Sequence, residues 1–324
     1  MKIKVILIIL VSILVLLTVG AGGYQIYLNS TQTSLNIIYI PKEINGSDFW
    51  SSVIAGAETA AMENEVSLKI IAPDKEADFE KQNRMILEAI MKKPDAICVS
   101  PISSEENLPA LRKVKDAGIK LVYIDSCTSE QLQDAIVATD NYEAGRKMGE
   151  FINDTITNDS KIVIISHMKG SSTATQREEG LRKALGKQES QIVDVGYSNS
   201  DYDIAYNETV RLLKEYDINY LACLNEYSAV GAARAVKDLG LEGKLTLIGF
   251  DSSIEDIKLL EEGVFSAIVV QRAYSMGYLG IETTVNCIRS QNSGISIDSG
   301  SILITKDTMY KVENQEVLFP FYGK

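Results

Sequence analysis

The chain has 324 residues, with 44 acidic and 32 basic side chains and a formal net charge of −12. No cluster of Lys and Arg stands out, which argues against nucleic-acid binding. The cysteines show no metal-ligand spacing, and no metal or cofactor is expected. They are Cys98, Cys127, Cys223 and Cys287.

The first predicted element is a membrane anchor with its linker, over residues 1–34. Lys2 and Lys4 precede an uncharged apolar run from Val5 to about Gly23. At ~1.5 Å rise per residue this run is roughly 28 Å long, close to the thickness of a bilayer core. A cleaved signal sequence is the alternative, but its apolar region is usually shorter. We therefore expect a single-pass protein of the cell membrane, with the rest of the chain outside.

After the linker, short runs rich in Val and Ile alternate with helical patterns. The predicted strands lie at 36–40, 67–72, 95–100, 120–125, 135–139, 161–166, 191–197, 220–224, 245–250, 265–270 and 300–305. The predicted helices lie at 49–64, 78–92, 105–117, from 140 or 141 onward, and at 174–187, 203–216, 227–239 and 273–289. Near-continuous apolar strands between helices are typical of parallel sheets covered on both faces. The pattern predicts an α/β fold with two doubly wound parallel-sheet lobes.

Polar residues stand at the ends of several predicted strands. Ligands of open α/β sheets bind at the carboxyl ends of the strands. Asp125, Asn225, Asp251 and Gln271 all occupy such ends. Carboxylates accept hydroxyl protons, and amides both donate and accept. One such residue alone is as often a helix cap or a turn residue, but the set together favours a binding site.

The pair Phe49-Trp50 lies where a polar loop meets a predicted helix, and Trp50 is the only tryptophan. Aromatic faces pack against the apolar faces of a sugar ring, and Tyr202, after another strand, could add a third. We expect Phe49 and Trp50 to be exposed at the edge of a cleft and to stack on a ligand. The alternative for Trp50 is a hydrophobic staple against its own helix. Convergent polar groups with few apolar walls and flanking aromatics indicate a sugar site.

A series of motifs in a fixed order resembles the type 1 periplasmic sugar-binding proteins, nearest to the ribose-binding group. The motifs are "FWSSVIAGAE", "KLVYIDS", "ATDNYEAGRKMGEFI", "SSTATQREEGLRKAL", "CLNEYSAVGAARAVKDLG", "LIGFDSS" and "EGVFSAIVVQ". The resemblance covers about 35–310. It implies two lobes joined by three hinge crossings, near 139–140, 271–272 and about 302. The first lobe would then hold 35–139 plus 272–302, and the second 140–271 plus 303–324.

The resemblance also implies ligand roles for individual residues. The ten matching positions are Ser47, Phe49, Trp50, Asp125, Ser126, Thr175, Tyr202, Asn225, Asp251 and Gln271. Ser47 stands where ribose binders have Asn, and Ser126 and Thr175 stand where they have two arginines. Ser and Thr cannot replace an arginine fork, so ribose is doubtful, and another pentose, a hexose or another polyol is open. Arg177 matches a mainly structural arginine.

These expectations add up to an extracytoplasmic receptor that closes on a monosaccharide and presents the closed form to a membrane partner. The partner would be an ABC permease or a sensor histidine kinase. A lipoprotein signal would need a Cys directly after the apolar run, and its absence favours the sensor slightly. A receptor for a non-sugar polyol or another small molecule is the alternative. An enzyme is not expected, although Asp125 and Asp251 could be imagined as a glycosidase pair.

Overall fold

The computed structural model describes residues 34–319. The predicted anchor and linker, residues 1–34, lies outside the described residues except for Ser34. From Asn36 onward the chain alternates strands and helices. The strands assemble into two sheets of six strands each.

The first sheet is parallel throughout. Its strands follow the spatial order β11-β5-β4-β3-β1-β2. Their bounds are β1 Asn36–Ile40, β2 Ser67–Ile70, β3 Ala96–Val99, β4 Lys120–Ile124, β5 Ala135–Ala138 and β11 Ile295–Asp298. The central strand β3 is buried along its whole length, as expected for a strand covered by helices on both faces.

The second sheet is parallel except at one edge. Its spatial order is β12-β10-β9-β8-β6-β7, and β12 runs antiparallel to β10. The bounds are β6 Ile162–Ser166, β7 Ile192–Tyr197, β8 Tyr220–Cys223, β9 Thr246–Phe250, β10 Ala267–Gln271 and β12 Ser301–Thr305. Strands β6 and β8 are fully buried, so this sheet also has two covered faces.

Ten α-helices cover the sheets within the described residues. They are α1 Asp48–Glu63, α2 Phe79–Met91, α3 Leu108–Asp116, α4 Asn141–Asn153, α5 Ser172–Leu185, α6 Tyr202–Glu215, α7 Glu226–Asp238, α8 Ile254–Glu262, α9 Ala273–Ser290 and α10 Val312–Leu318. A 3-10 helix follows α5 at Gly186–Gln191.

The prediction of two α/β lobes with mainly parallel sheets is confirmed. Three elements were missed, β11, α8 and α10. The β11 segment has only four residues with alternating burial, so its sequence lacks the continuous apolar run that identified the other strands. The chain changes from one sheet to the other after β5, after β10 and between β11 and β12. The last change falls between Asp298 and Ser301, next to the predicted crossing near 302.

Helix α1 is held in place by very close contact with α9. A Cβ at Gly56 would lie 2.0 Å from the backbone oxygen of Tyr274, and one at Gly277 would lie 1.8 Å from that of Val53. Real Cβ atoms do not approach so closely, so only glycine fits at both positions. This contact fixes the N-terminus of α1, which carries Phe49 and Trp50, beside the chain that leaves β10.

Candidate ligand-binding site

A small cavity lies where the carboxyl ends of strands from both sheets face each other, and about 20 Å³ of it is accessible to the centre of a water molecule. It brings together seven of the ten predicted site residues. These are Ser47, Phe49, Trp50, Asp125, Asn225, Asp251 and Gln271. Three of them come from the loop and helix after β1, and the others from the ends of β4, β8, β9 and β10. The strand-end rule for α/β sheets therefore accounts for the position of the cavity.

The remaining three predicted residues do not line this cavity. The Ser126 hydroxyl donates to the backbone oxygen of Pro101 at 2.8 Å. The Thr175 hydroxyl donates to the backbone oxygen of Ser171 at 3.1 Å, within its own helix turn. Tyr202 lies to one side and donates its hydroxyl to Glu226 at 2.7 Å. Their ligand roles stay predictions.

Asp125 and Asp251 have the same unusual backbone. Their φ angles are +75° and +77°, in a region that non-glycine residues rarely adopt but Asp tolerates better than most. Each donates its backbone N–H to the neighbouring strand, Asp125 to Val137 at 2.9 Å and Asp251 to Val269 at 2.8 Å. The left-handed conformation ends the strand and places the carboxylate at the cavity wall. Such backbone strain is characteristic of functional sites.

Trp50 is buried, with 2% of its surface exposed. The expectation that it lies exposed at the cleft edge is therefore wrong. Its ring packs edge-on against Phe49, with centroids 5.1 Å apart and planes at 77°. Its indole N–H points to the carboxylate of Glu76 at 3.5 Å. Phe49 is half-buried, and both rings line the cavity.

Two of the polar site residues also cap helices. Ser47 accepts the backbone N–H of Trp50 at 3.2 Å, at the start of α1. Asn225 accepts the backbone N–H of Ser228 at 3.0 Å and forms a reciprocal capping box at the start of α7. Ser47 and Asn225 therefore each cap a helix and line the cavity at the same time. The side-chain amide of Asn225 also donates to Ser200 at 3.3 Å.

The loop after β1 supplies a buried cation that the sequence analysis missed. Lys42 Nζ lies 3.0 Å from Asp125 and 3.5 Å from Glu76, and all three side chains are almost fully buried. Burial opposes the charged form of Lys42, but the two carboxylates outweigh this effect and raise its pKa. Lys42 follows a predicted strand after only one residue, so the strand-end rule could have found it.

Glu226, also missed, joins the two sides of the cavity. Its carboxylate accepts the backbone N–H of Phe49 at 3.0 Å and that of Asp48 at 3.2 Å, at the N-terminus of α1. A helix N-terminus carries partial positive charge and favours an anion there. Burial nevertheless raises the pKa of Glu226 to about 7, with a contribution from Asp251. Beside it, Tyr227 hydrogen-bonds Glu43 across the cavity.

Asp251 is bound by hydrogen bonds instead of an ion pair. It accepts the side-chain N–H of Gln271 at 2.7 Å and the backbone N–H of Glu226 at 3.1 Å. Burial raises the pKa of Asp251 to about 6, and the nearby Arg177 offsets part of that rise. The amide oxygen of Gln271 is buried and has no hydrogen-bond partner within residues 34–319. One buried acceptor of a residue that lines the cavity is thus left for a donor.

Arg177 and His167 complete the cavity wall. Arg177 donates to Asn141 at 2.8 Å and to the backbone oxygen of Leu224 at 2.7 Å, and its guanidinium stacks 3.8 Å from the ring centre of Phe250. These contacts agree with a mainly structural role for Arg177. His167 shares a hydrogen bond of 2.9 Å with Thr173. Burial, together with the charge of Arg177, lowers the pKa of His167 well below its usual range, which keeps the ring neutral.

Comparison with known proteins places the chain in a family. A family model described as "Periplasmic binding protein domain" matches residues 37–292. The D-allose-binding periplasmic protein of Escherichia coli is 29% identical over 256 residues, which cover 75% of this chain and 81% of the relative. A solved sugar transporter from Clostridium phytofermentans is 43% identical, with a TM-score of 0.80, covering 85% of this chain and all of that one. An ABC transporter solute-binding protein from Agrobacterium vitis, solved with bound D-fucose, is 31% identical, with a TM-score of 0.82, covering 88% and 100%.

These findings confirm the predicted family and correct the predicted location. The relatives are solute-binding proteins and not enzymes, in agreement with the expected function class. The prediction of a single-pass protein of the cell membrane is contradicted. The matching family and the relative from Escherichia coli are named as periplasmic. No helix within residues 34–319 is long and apolar enough to cross a bilayer.

Proposed function

Since the chain belongs to the periplasmic binding protein domain family, we propose that it is an extracytoplasmic receptor that closes on a monosaccharide and presents the closed form to a membrane partner. The family match spans residues 37–292 and so includes every residue of the cavity wall. The relatives described above are named for sugars or for sugar transport. Their names do not fix which sugar this chain binds.

The observation that carries the proposal is the convergence of polar groups from both sheets on one cavity. Asp125 belongs to the first sheet, and Asn225, Asp251 and Gln271 belong to the second. A sugar has hydroxyls all around its ring, and a site with acceptors on both sides can hold it between the sheets. The two aromatic rings after β1 supply the apolar surface for the C–H faces of the ring.

The size of the cavity supports a hinge motion. About 20 Å³ accessible to the centre of a water molecule is room for roughly one water, less than a sugar ring occupies. A sugar can therefore enter only if the two sets of strand ends move apart. The contacts of Glu226 with the N-terminus of α1 and the hydrogen bond between Tyr227 and Glu43 would break and reform in this motion. Ligand binding then shifts the population towards the closed form.

The proposed partner is an ABC permease, because the relatives are named as a sugar transporter and as an ABC transporter solute-binding protein. The sensor histidine kinase, which the sequence favoured slightly, is the alternative. Chemical cross-linking of the sugar-loaded chain to membranes of its source cells, followed by mass spectrometry, distinguishes them. Recovery of a permease supports the importer, and recovery of a kinase supports the sensor.

Calorimetric titration of the full chain tests the receptor function itself. The panel contains xylose, ribose, arabinose, glucose, galactose and inositol. We expect saturable binding of at least one member with one site per chain. Binding of inositol alone would favour the non-sugar polyol alternative, and turnover of an added glycoside would contradict a receptor without catalytic activity.

A further inference from the structure

The cavity wall holds more carboxylates than cations. The charged residues that line it are Glu76, Asp125, Glu226 and Asp251 against Lys42 and Arg177. Its histidine is neutral, since its pKa is lowered by burial. Buried charges are normally paired, because an unpaired charge away from water is costly. The wall therefore carries two more carboxylates than cations.

The two sides of the cavity differ in how their carboxylates are paired. Lys42 contacts Asp125 and Glu76, so these two carboxylates share a cation. Within residues 34–319, Glu226 and Asp251 have no Lys, Arg or His nitrogen within the 4.0 Å of an ion pair. Arg177 instead donates to neutral oxygens.

Two hydrogen-bond donors on this side already donate to carboxylates of the protein. The amide N–H of Gln271 donates to Asp251, and the hydroxyl of Tyr202 donates to Glu226. The amide oxygen of Gln271, in a residue only 5% exposed, has no partner among the described residues. This side thus has a buried acceptor to spare. A group that only donates, and carries positive charge, matches it better than a hydroxyl, which also needs a donor for its own oxygen.

We infer that the ligand of this cavity is an amino sugar, whose protonated amine lies at the Glu226, Asp251 and Gln271 side. An ammonium group has three donors and no acceptor, and its single positive charge would offset part of the excess of carboxylates. The sugar ring would keep the position between the sheets that the proposed function gives it. The inference rests on that proposed function and names the chemical class of its ligand.

The raised pKa values of the two carboxyl groups agree with this arrangement. Burial, with repulsion from Asp251, raises the pKa of Glu226 to about 7, and burial raises that of Asp251 to about 6. Asp125 adds to the repulsion on Asp251, and Arg177 offsets part of it. As the pH falls, these carboxyl groups bind protons, and the protons remove the negative charge that would otherwise attract a cation. Protons and an ammonium ligand should therefore compete.

The test compares amino sugars with their neutral parents on the full chain by calorimetry at pH 7. D-glucosamine is paired with D-glucose, and D-galactosamine with D-galactose. We expect at least one amine to bind with a Kd about tenfold or more below that of its parent, since close charges in a partly dry site interact strongly. If both parents bind as tightly as their amines or more tightly, the inference is overturned while the proposed function stands. If no sugar binds at all, pentoses included, both are overturned.

A pair of variants ties the preference to the residues named. Glu226→Gln keeps the shape but removes one charge, and the ratio of the two Kd values should fall to roughly one to three. Glu88→Gln, on the exposed face of α2, is the matched control and should keep the wild-type ratio. Should Glu226→Gln fail to fold, Asp251→Asn makes the same test. An unchanged ratio in the folded variant would overturn the assignment of the amine to this side.

Discussion

Asp125 and Asp251 occupy equivalent places in the two sheets, yet their surroundings differ. Asp125 follows β4 and donates its backbone N–H to β5, and Asp251 follows β9 and donates its backbone N–H to β10. Both residues have a φ near +75°. Asp125 then faces Lys42 at 3.0 Å. Asp251 faces an amide and a backbone N–H, with Glu226 beside it.

The same positive φ at the end of a strand thus places a carboxylate in two different electrostatic surroundings. On the first sheet the carboxylate forms an ion pair with Lys42, which follows a strand of the same sheet and is shared with Glu76. On the second sheet the carboxylate has only dipoles as partners, and burial raises its pKa to about 6. The second side is therefore the one whose charge depends on what enters the cavity.

Removing the cation of the first side should have the largest effect. Lys42→Met would leave Asp125 and Glu76 buried without a counter-charge, and breaking a buried pair costs roughly 3–5 kcal/mol. We expect a loss of that order in the free energy of unfolding, measured by urea titration. Lys69→Met, at an exposed position of β2, is the control. An unchanged urea midpoint would mean that Lys42 is not needed to neutralise the first side.

Neutralising the carboxylate of the second side should mainly affect binding. Asp251→Asn keeps nearly the same side-chain shape and tolerates the positive φ. It replaces the charged carboxylate with a neutral amide. A hydrogen bond to a charged group contributes about 1.5–3 kcal/mol, so we expect roughly a 10- to 100-fold loss of sugar affinity by calorimetry. Asp125→Asn should lose less, since Lys42 keeps Glu76 as a partner. A larger loss of sugar affinity in Asp125→Asn than in Asp251→Asn would contradict the difference between the two sides.

The pH dependence of stability should differ between the two sides. A carboxyl whose pKa is raised in the folded state stabilises the protein below its ordinary pKa and loses that contribution as the pH rises. With the pKa of Glu226 at about 7, this loss occurs between about pH 4.5 and pH 7. Between pH 5 and pH 8, the free energy of unfolding of Glu226→Gln should therefore decline by roughly 2 kcal/mol less than that of the wild type. Equal declines in variant and wild type would contradict the assigned pKa.

The backbone strain should be the smallest of these effects and the same on both sides. Glycine adopts a positive φ freely, whereas alanine pays about 1–2 kcal/mol for it. At both positions, 125 and 251, the Asp→Gly variant should unfold at a higher urea concentration than the Asp→Ala variant. A difference at one position only would show that the two strand ends are not equivalent.

Much of this site was predictable because it follows a positional rule. Polar residues at strand ends identified Asp125, Asn225, Asp251 and Gln271, and the structure places all four around one cavity. Glu226 was not predicted, because Asn225, directly before it, already supplied a polar residue at the end of β8. Its role depends on the N-terminus of α1, which lies more than 170 residues away in the chain.

Burial at the cavity could not be read from the sequence. Trp50 follows a polar loop, and local pattern alone suggested an exposed ring. Its exposure is only 2%, and its ring contacts Phe49 while its indole N–H points to Glu76, a residue 26 positions away in the chain. The short strand β11 was missed for a related reason. Its alternating side chains carry no continuous apolar signal, and it is stabilised by its register with β5.

The most direct test of the receptor is the fluorescence of Trp50 during titration of the full chain with neutral and amino sugars. Trp50 is the only tryptophan, and it lines the cavity. We predict a saturable change in its emission with at least one sugar, which Asp251→Asn weakens and Glu88→Gln leaves unchanged. A flat signal with every sugar, together with no heat of binding, would contradict a sugar site between the two sheets.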